Sequence, residues 1–352
     1  GCCAEHRGNL YFQMTGAKSF RAAVVGCGAI APNHVTGILA AGQTLAAVCD
    51  PDRSHAERLL ARFGLSVPIY TDLEELLDRE HPDVLHICTP HYLHAPMCCA
   101  ALSRGVNVLC EKPLGISEAD LRAIEAAEAE STAMLGVCLQ NRYEPNFLRL
   151  KSIAGEEGIA AAFGVVAWRR DADYYASGAW RGKWATEGGG VMINQALHTL
   201  DLLQWLCGMP QTVTAHLSDD HLQGVIEVED TATAHFRLPD GRAFQLFATT
   251  ACTSDFPAQL QLITRAGHRY FADNTSLCRD GEPLPGEKSA TLGKTVWGSG
   301  HCRLIADFYR HPSEGTHFPI DAHEGAKVIR LILAMYASAK ENCTMKPTED
   351  TL

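Results

Sequence analysis

The sequence predicts a doubly wound, parallel α/β domain followed by an α+β domain with a large, open, mostly antiparallel sheet. Three observations support this. A glycine-rich turn, Gly26-Cys27-Gly28, leaves an apolar strand and enters a helical segment. Strand-like and helix-like segments then alternate as far as residue 141, which is typical of right-handed crossovers in a parallel sheet. Beyond residue 142, short strand-like runs separated by turns such as Pro239-Asp240-Gly241 indicate antiparallel hairpins.

The elements follow in chain order. In the first part we predict strands at 22–25, 45–49, near 69, 84–88, 107–110 and 134–139, and helices from about 32 and at 54–63, 72–78, 94–103 and 117–130. In the second part we predict strands at 161–169, 211–218, 231–238, 242–250, 258–264 and 268–272, an amphipathic helix at 190–207 and a last helix at 322–341. Ser54, Asp72 and Ser117 are candidate helix N-caps. We expect residues 18–141 to form one domain and residues 142–352 a second. We expect the last helix of the second domain to pack back on the first domain.

Composition narrows the class of protein. The chain has 352 residues, is 46% hydrophobic and carries a formal net charge of −11, which argues against general nucleic-acid binding. No run approaches a membrane span, and no secretory signal is visible. The 14 cysteines include no CxxC pair and are best explained as small buried thiols in a reducing compartment, so we expect a cytoplasmic protein. The spacing of His91, His94 and Cys98 is compatible with a zinc site. A loop that leads into a helix explains the same spacing better, so we predict no metal.

The first residues need separate treatment. The run from Gly8 to Gln13 resembles a protease-recognition linker of the kind added for expression, and Met14 lies near the expected natural start. We therefore interpret residues 1–17 as a leader or an added segment and leave them out of the fold.

The glycine turn has the spacing Gly-x-Gly-x-x-Ala of a dinucleotide-binding fold. Gly26 permits the tight turn, Gly28 lets a pyrophosphate approach the backbone, and Ala31 allows close helix–strand packing. We expect the backbone of Ala29 and Ile30 to face the anion. A glycine-rich turn without a ligand is the alternative.

The second predicted strand ends in Asp50, about where a carboxylate can bind the ribose of a dinucleotide. A turn residue in Asp50-Pro51-Asp52 is the alternative explanation. A carboxylate here favours NAD over NADP, while Arg53 leaves NADP open because an arginine can accommodate a ribose phosphate.

Three further blocks complete a recognisable pattern. They are Thr89-Pro90-His91-Tyr92-Leu93-His94, then Glu111-Lys112-Pro113, then the segment from Gly188 through Asn194-Gln195-Ala196-Leu197-His198 to Asp201. With the glycine turn, these blocks resemble the family of glucose–fructose oxidoreductase, inositol dehydrogenase and rhizopine-catabolism proteins, over residues 18 to 342. The resemblance implies a Rossmann domain, NAD(P)-dependent oxidation or reduction at a secondary alcohol or aldehyde carbon of a sugar or cyclitol, and dimers or tetramers built on the second domain's sheet.

The chemistry explains two of these residue types. When a hydride leaves a carbinol carbon, a cation near the oxygen stabilises the developing negative charge, and a group that titrates near neutrality accepts the proton. Lys112 and His198 suit these tasks and match the family's catalytic lysine and histidine. A solvated lysine and a core histidine are the alternatives. Pro113 is placed for a cis peptide that directs the lysine inward.

Asn194 stands one predicted helical turn before His198. Members resembling inositol dehydrogenase carry Asp there, so a His–Asp relay is in doubt, and we expect Asn194 to contact substrate or cofactor.

The remaining expectations concern binding. The segment Gln140-Asn141-Arg142-Tyr143 resembles the family's crossover over the cofactor, with a plain interdomain strand as the alternative. The stretch from Trp168 to Trp184 interleaves aromatic rings with cations, which suits a carbohydrate carrying phosphate or carboxylate; a subunit-interface loop is equally open. The predicted cofactor contacts are Gly26, Gly28, Ala29, Ile30, Asp50, Arg53, Thr89, Pro90, His91, His94, Glu111, Lys112, Asn141 and Arg142. The predicted substrate contacts are Lys112, Trp168, Trp180, Arg181, Asn194, Gln195 and His198.

The leading functional hypothesis is an NAD-dependent dehydrogenase acting on a sugar, sugar acid, nucleotide sugar or cyclitol, assembled as a homodimer or homotetramer. An NAD-assisted glycoside hydrolase or lyase, which oxidises its substrate only transiently, is a second class. A non-catalytic dinucleotide-binding regulator is a third, and Lys112 together with His198 counts against it.

Overall fold

The chain changes from a parallel to a mostly antiparallel sheet between its sixth and seventh strands. The computed structural model describes residues 19–285 and 299–347, so the predicted leader at 1–17 lies outside the described residues. The first sheet, within that part of the chain, comprises β1 (Arg21–Val25), β2 (Thr44–Cys49), β3 (Ile69–Tyr70), β4 (Val84–Ile87), β5 (Asn107–Cys110) and β6 (Leu135–Val137). All pairings are parallel, in the order β3-β2-β1-β4-β5-β6. The order reverses between β1 and β4, and ligands of such sheets bind at the carboxyl ends beside that reversal.

Five helices connect these strands. They are α1 (Ala31–Ala40), α2 (Arg53–Phe63), α3 (Leu73–Glu80), α4 (His94–Leu102) and α5 (Glu118–Glu130). The Asp72 and Ser117 side chains cap α3 and α5 by accepting from the backbone N–H of Glu75 and Asp120, as predicted. The predicted N-cap of α2 is wrong, because Asp52 and not Ser54 caps the helix by accepting from the N–H of Ser54, and the helix begins one residue earlier than predicted, at Arg53.

The second sheet begins at residue 159. Its strands in the described part of the chain are β7 (Ile159–Ala167), β8 (Thr212–Ser218), β9 (Thr231–Arg237), β10 (Ala243–Thr249), β11 (Gln259–Thr264), β12 (Arg269–Ala272), β13 (Leu277–Arg279) and β14 (Glu282–Pro283). They lie in the order β14-β13-β12-β11-β7-β10-β9-β8, and all pairs are antiparallel except β7 with β10. The predicted fold class, with its open and mostly antiparallel second sheet, is confirmed.

The second half contributes further helices. They are α6 (Pro145–Glu157), α7 (Ala172–Ala176), α8 (Leu197–Cys207), α9 (Gly300–Glu314) and α10 (Ala322–Glu341). Helices α6, α8 and α10 contact the second sheet. A Cβ on Gly164 of β7 would lie 2.6 Å from Thr199, so this glycine allows α8 to pack closely on the sheet. The sequence analysis did not predict α6 and α9.

The predicted amphipathic helix at 190–207 is wrong in two respects. Its first part, Met192–Ala196, is a π-helix, and only the remainder is α-helical. Nearly every side chain of both parts is buried, because the segment lies between the sheet and α10; polar residues such as His198, Asp201 and Gln204 are buried together with the apolar ones. Single π-helical turns occur frequently at functional sites.

The last two helices connect the two sheets. Helix α9 packs on α1, and α10 packs on β8 and also on α5 and β6. Arg330 of α10 forms buried ion pairs with Glu118 and Glu125 of α5, at 3.1 and 2.9 Å. No helix among residues 19–285 and 299–347 is both long and apolar enough to cross a membrane.

Candidate functional site

The glycine turn has a local geometry that fits a dinucleotide phosphate. Gly26 has φ +83°, and a Cβ there would lie 2.6 Å from the carbonyl of Cys88, so the turn requires glycine. A Cβ on Gly28 would meet nothing within 4 Å, which leaves the backbone open to an incoming group. Helix α1 begins without a side-chain cap. Pro32 has no N–H and the N–H of Asn33 donates to the carbonyl of Ile30 at 2.9 Å, so an anion contact would use N–H groups that precede Pro32.

Asp50 lies at the end of β2, next to this turn. Its carboxylate accepts from the N–H of Cys27 at 2.8 Å and from that of Asp52 at 2.9 Å, and His55 lies 3.3 Å away. Arg53 is exposed and pairs with Glu57 one turn along α2, at 3.1 Å. The carboxylate therefore lies where a ribose would approach, and the arginine is directed along the helix.

Lys112 connects the two halves of the chain. It follows β5, and the Lys112–Pro113 peptide bond is cis, as the sequence suggested. Its Nζ donates to the backbone oxygen of Asn194 at 2.9 Å and lies 3.4 Å from the side-chain oxygen of the same residue. Burial lowers the pKa of Lys112, and Arg181 lowers it further against the opposing effect of Glu111. The ammonium is thus placed at the π-helix, in surroundings that favour loss of its proton more than water does.

His198 lies on the first turn of α8 and is 7% exposed. Burial, and after it the charge of Lys112, lowers its pKa to about 3, well below the near-neutral value expected from the sequence, so the imidazole is neutral at pH 7. Its Nε2 lies 3.1 Å from Nε2 of Gln140, and its Nδ1 has no hydrogen-bond partner among the described residues. If the Gln140 amide rotates, its oxygen accepts from Nε2–H and Nδ1 becomes the basic nitrogen. The orientation of Gln140 therefore selects which nitrogen can accept a proton.

Asn194 bonds to a carboxylate that the sequence analysis did not identify. Its Nδ2 donates to Glu187 at 2.5 Å and lies 3.2 Å from the hydroxyl of Tyr174. Burial raises the pKa of Glu187, while hydrogen bonds from Gly182 and Asn194 oppose that shift. Glu187 thus supplies, from the neighbouring loop, the carboxylate that an aspartate at position 194 would provide.

Tyr174 is the centre of a cationic cluster on the same side. Its hydroxyl lies 2.6 Å from Nη1 of Arg181 and 3.3 Å from Nε2 of Gln195. The guanidinium carbons of Arg181 and Arg170 lie 4.5 and 5.0 Å from the centre of its ring. Arg181 also stacks on Trp180 at 4.5 Å. Trp168, by contrast, donates its indole N–H to the carbonyl of Phe256 and lies at the edge of this cluster.

The block around His91 connects this loop to the first sheet. His91 contacts the backbone oxygen of Glu187 at 2.8 Å and packs on Trp180 at 4.7 Å. His94 lies 2.6 Å from the carbonyl of Pro113 and 2.9 Å from that of Thr89. Pro90 precedes the short 3₁₀ turn that carries His91. These contacts hold both histidines against backbone carbonyls, and the neutral ring of His94 donates to one of its two.

Glu111, a predicted cofactor contact, is buried and bonds to residues of the interior. His34 and His301 donate to its Oε1 at 2.9 and 3.0 Å, and the N–H of Lys112 lies 3.2 Å from its Oε2. Burial opposes the charge, but the two histidine hydrogen bonds hold the pKa of Glu111 well below its usual range. Glu111, His34 and His301 have the donor types of a metal site, and in the structure they bond to one another through Oε1 of Glu111.

A buried chain of hydrogen bonds continues from Glu111. Nδ1 of His34 lies 2.8 Å from Nδ1 of His86, and Nε2 of His86 lies 2.8 Å from the hydroxyl of Tyr309. Burial lowers the pKa of both histidines, so each is neutral and donates once. Because Glu111 only accepts, Tyr309 donates to His86, His86 to His34 and His34 to Glu111. We call these four residues the histidine chain.

Arg142 requires a correction. It was expected to contact the cofactor, but all three of its guanidinium nitrogens bond to carboxylates, at 2.7 and 2.8 Å from Asp201 and 2.8 Å from Glu324. This buried cluster holds the crossover segment against α8 and α10. Asn141 lies buried in the same short 3₁₀ turn.

Several buried polar atoms near Lys112 lack partners among the described residues. They are Oε1 of Gln140, Nε of Arg170, Oε1 of Gln195, Nδ1 of His198 and Nδ1 of His301. Buried polar atoms are normally satisfied, so a cluster of exceptions marks a place for a ligand. Sequence reasoning missed Arg170 and Glu187, because both lie in irregular loops with no fixed spacing to the motifs.

Comparison with known proteins agrees with this geometry. Residues 20–139 match the GFO_IDH_MocA family, described as an oxidoreductase family with an NAD-binding Rossmann fold, and residues 157–268 match the GFO/IDH/MocA C-terminal domain. Inositol 2-dehydrogenase 4 of Saccharopolyspora erythraea is 26% identical over 80% of this chain and 78% of its own length. Inositol 2-dehydrogenase of Salmonella typhimurium is 30% identical, over 40% of this chain and 43% of that protein.

Solved structures share the whole architecture. The WlbA dehydrogenase from Bordetella pertussis, in complex with NADH and UDP-GlcNAcA, is 25% identical and superposes with a TM-score of 0.81, covering 94% of this chain and 99% of that one. Levoglucosan dehydrogenase in complex with NADH and levoglucosan is 19% identical with a TM-score of 0.83 and the same coverage, a likeness of fold. The two matched domains together span more than half of the sequence. The chain therefore belongs to the GFO/IDH/MocA family of NAD-binding oxidoreductases.

Proposed function

We propose that this protein is a dehydrogenase that moves a hydride between NAD and a secondary alcohol carbon of a sugar, sugar acid, nucleotide sugar or cyclitol. The observation that carries the proposal is the meeting of Lys112 with the π-helix. This contact brings an ammonium from the end of β5 next to the segment that holds Asn194 and leads directly into His198. The named relatives act on or bind molecules of this class.

When bound, NAD supplies the hydride acceptor. In our proposal Lys112 binds the substrate oxygen and stabilises its negative charge as the proton leaves. The neutral His198 accepts that proton at the nitrogen that Gln140 leaves free. Asn194 orients Lys112 through its backbone and side-chain oxygens, and Gly26, Gly28 and Asp50 hold the dinucleotide. We assign Glu111 to positioning, because its carboxylate bonds to the backbone of Lys112 and to histidines.

Turnover tests this assignment. Sugars, sugar acids, cyclitols and nucleotide sugars are screened for steady NADH accumulation, which a hydrolase with transient oxidation would not give. With the best substrate, Lys112→Ala and His198→Ala each lower kcat by about 10²–10⁴-fold, the usual range for a positioned acid or base. NADH binding, followed by fluorescence, is retained in both. Lys183→Ala, at an exposed lysine, is the matched control and keeps its turnover. Near-normal kcat in His198→Ala would make that histidine structural.

We further propose that the outer face of the second sheet joins copies of this chain into a homodimer or homotetramer in the cytoplasm. Alternate residues of β7, β10 and β11 point away from the helices, and Phe163, Phe247 and Ile263 among them are 41%, 39% and 41% exposed. An apolar sheet face of this kind needs a cover in water. Light scattering at micromolar concentration tests it: Phe163→Glu with Phe247→Glu gives monomers, whereas a monomeric wild type contradicts the proposal.

A further inference from the structure

Two of the cations near Tyr174 lack an ion-pair partner among the described residues. Arg170, Arg181 and Lys112 lie close enough for both arginines to lower the pKa of the lysine. Within residues 19–285 and 299–347, neither Lys112 nor Arg181 has a carboxylate oxygen within 4.0 Å. Glu187 is the nearby acid, and its two oxygens already accept from Gly182 and Asn194. Lys112 and Arg181 therefore stand beside the site without an ion-pair partner in those ranges, whereas Arg170 pairs with Asp255 at 3.2 Å.

The two arginines are also incompletely bonded. Arg170 donates through Nη1 to the carbonyl of Arg169 at 2.6 Å and to Asp255 at 3.2 Å, on the solvent side. Its Nε is buried and has no partner in the described part of the chain. Arg181 uses Nη1 on the hydroxyl of Tyr174 and stacks between two aromatic rings. Such stacking fixes a guanidinium plane while its edge stays able to donate.

We propose that Arg170 and Arg181 form an oxyanion subsite, so that the substrate of the proposed dehydrogenase carries a carboxylate or phosphate group. This inference rests on the proposed function for the identity of the reacting alcohol. A guanidinium edge donates two parallel N–H groups, which match a carboxylate or a phosphate and not a neutral hydroxyl. The hydroxyl to be oxidised then lies at Lys112, and the acidic group of the same molecule lies at the arginines beside it.

Paired ligands test the subsite directly. The NADH-loaded protein is titrated with D-glucuronate against D-glucose, and with glucose 6-phosphate against D-glucose, by calorimetry. We expect at least one acidic member to bind tenfold or more tightly than its neutral partner, since hydrogen bonds to charged groups exceed those to neutral ones. A preference confined to glucuronate identifies a carboxylate, and one confined to glucose 6-phosphate identifies a phosphate. Equal binding, or no binding, in both pairs overturns the proposal.

Matched variants locate the effect. Arg181→Gln and Arg170→Gln each reduce the acid preference to threefold or less, while Arg169→Gln preserves it. Arg169 lies next to the subsite in sequence, is exposed and pairs with Asp171 at 3.5 Å. Arg169→Gln therefore removes one positive charge from this region without removing a subsite arginine. A preference that survives both subsite variants would refute the assignment. Binding of acidic sugars without any NADH formation would contradict the proposed dehydrogenase function but not the oxyanion subsite. Turnover of neutral sugars only would support the dehydrogenase function and contradict the subsite.

Discussion

Replacing Asn194 with aspartate probes the contact that separates this chain from relatives with Asp at this position. The Nδ2 of Asn194 lies 2.5 Å from a buried oxygen of Glu187. In Asn194→Asp two carboxylates would share that position, and like charges so close cannot both ionise. One of them must keep a proton, so the pair has a pKa raised above its value in the unfolded chain. We therefore expect Asn194→Asp to destabilise the fold at neutral and alkaline pH.

The size and sign of the effect follow from linkage. The new O–H···O bond replaces an amide–carboxylate bond of similar strength, so the main cost is keeping a carboxyl protonated. That cost is about 1.4 kcal/mol per pH unit above a normal pKa near 4, or ~5 kcal/mol at pH 8 and ~2 kcal/mol at pH 5.5. Because the folded-state pKa is raised, stability relative to wild type is lost as pH rises and regained as pH falls.

Thermal unfolding measures this at pH 5.5 and pH 8 for four proteins: wild type, Asn194→Asp, Glu187→Gln and the double variant. The double variant exchanges the amide and the carboxylate, so it keeps one charge and one hydrogen bond. We expect it to recover most of the lost stability, with a coupling energy of several kcal/mol. If Asn194→Asp is as stable as wild type at pH 8, or if Glu187→Gln gives no rescue, the proposed contact is wrong.

Three further predictions concern other parts of the molecule. Asp50→Ala weakens NADH binding by about 1.5–3 kcal/mol, the contribution of a hydrogen bond to a charged group, and reduces the difference in affinity between NADH and NADPH. Equal affinities of the wild type for NADH and NADPH would contradict the assignment of Asp50 to the ribose. His34, His86 and His198 are buried and neutral, and their pKa values are lowered in the folded protein. Below pH 6.5 the free energy of unfolding should therefore fall by up to about 1.4 kcal/mol per pH unit for each histidine, because the unfolded chain binds protons that the folded one does not. A urea-unfolding free energy that stays constant between pH 7.5 and 5.5 would contradict this. Gln140→Leu shifts the acidic limb of the kcat profile if it selects the His198 tautomer, whereas lower stability with an unchanged profile would indicate packing alone.

The regular part of the fold was predictable from local patterns. The last helix matches the predicted 322–341 range, and β5 matches 107–110, because apolar periodicity and caps define both. Helix α9 escaped prediction because it contains Pro312, a residue that usually ends a helix. The π-helix escaped prediction because the five residues Met192–Ala196 are too short a run for sequence periodicity to separate a π-helical turn from an α-helical one.

The site was predictable only where a motif fixes the backbone. Lys112, Asn194 and the glycine turn lie at such positions, and the structure brings the first two within hydrogen-bond distance. Arg170 and Glu187 reach the same place through loops whose course depends on tertiary contacts. Arg142 shows the opposite error, since its motif suggested a ligand contact while buried acids distant in sequence determine its partners.

The packing of the final helices has a consequence for how the chain is made. The edge of the first sheet at β6 is closed by residues near the other end of the chain: Val137 donates its N–H to the carbonyl of Ile320, and a Cβ on Gly136 would strike Phe308 and Phe318. During synthesis, the dinucleotide-binding half leaves the ribosome about 160 residues before these covering segments exist. Its apolar flank is therefore exposed throughout translation of the second half. The amino-terminal half expressed alone would carry the same uncovered surface and aggregate, and the protein reaches its native state only after α10 has been synthesised.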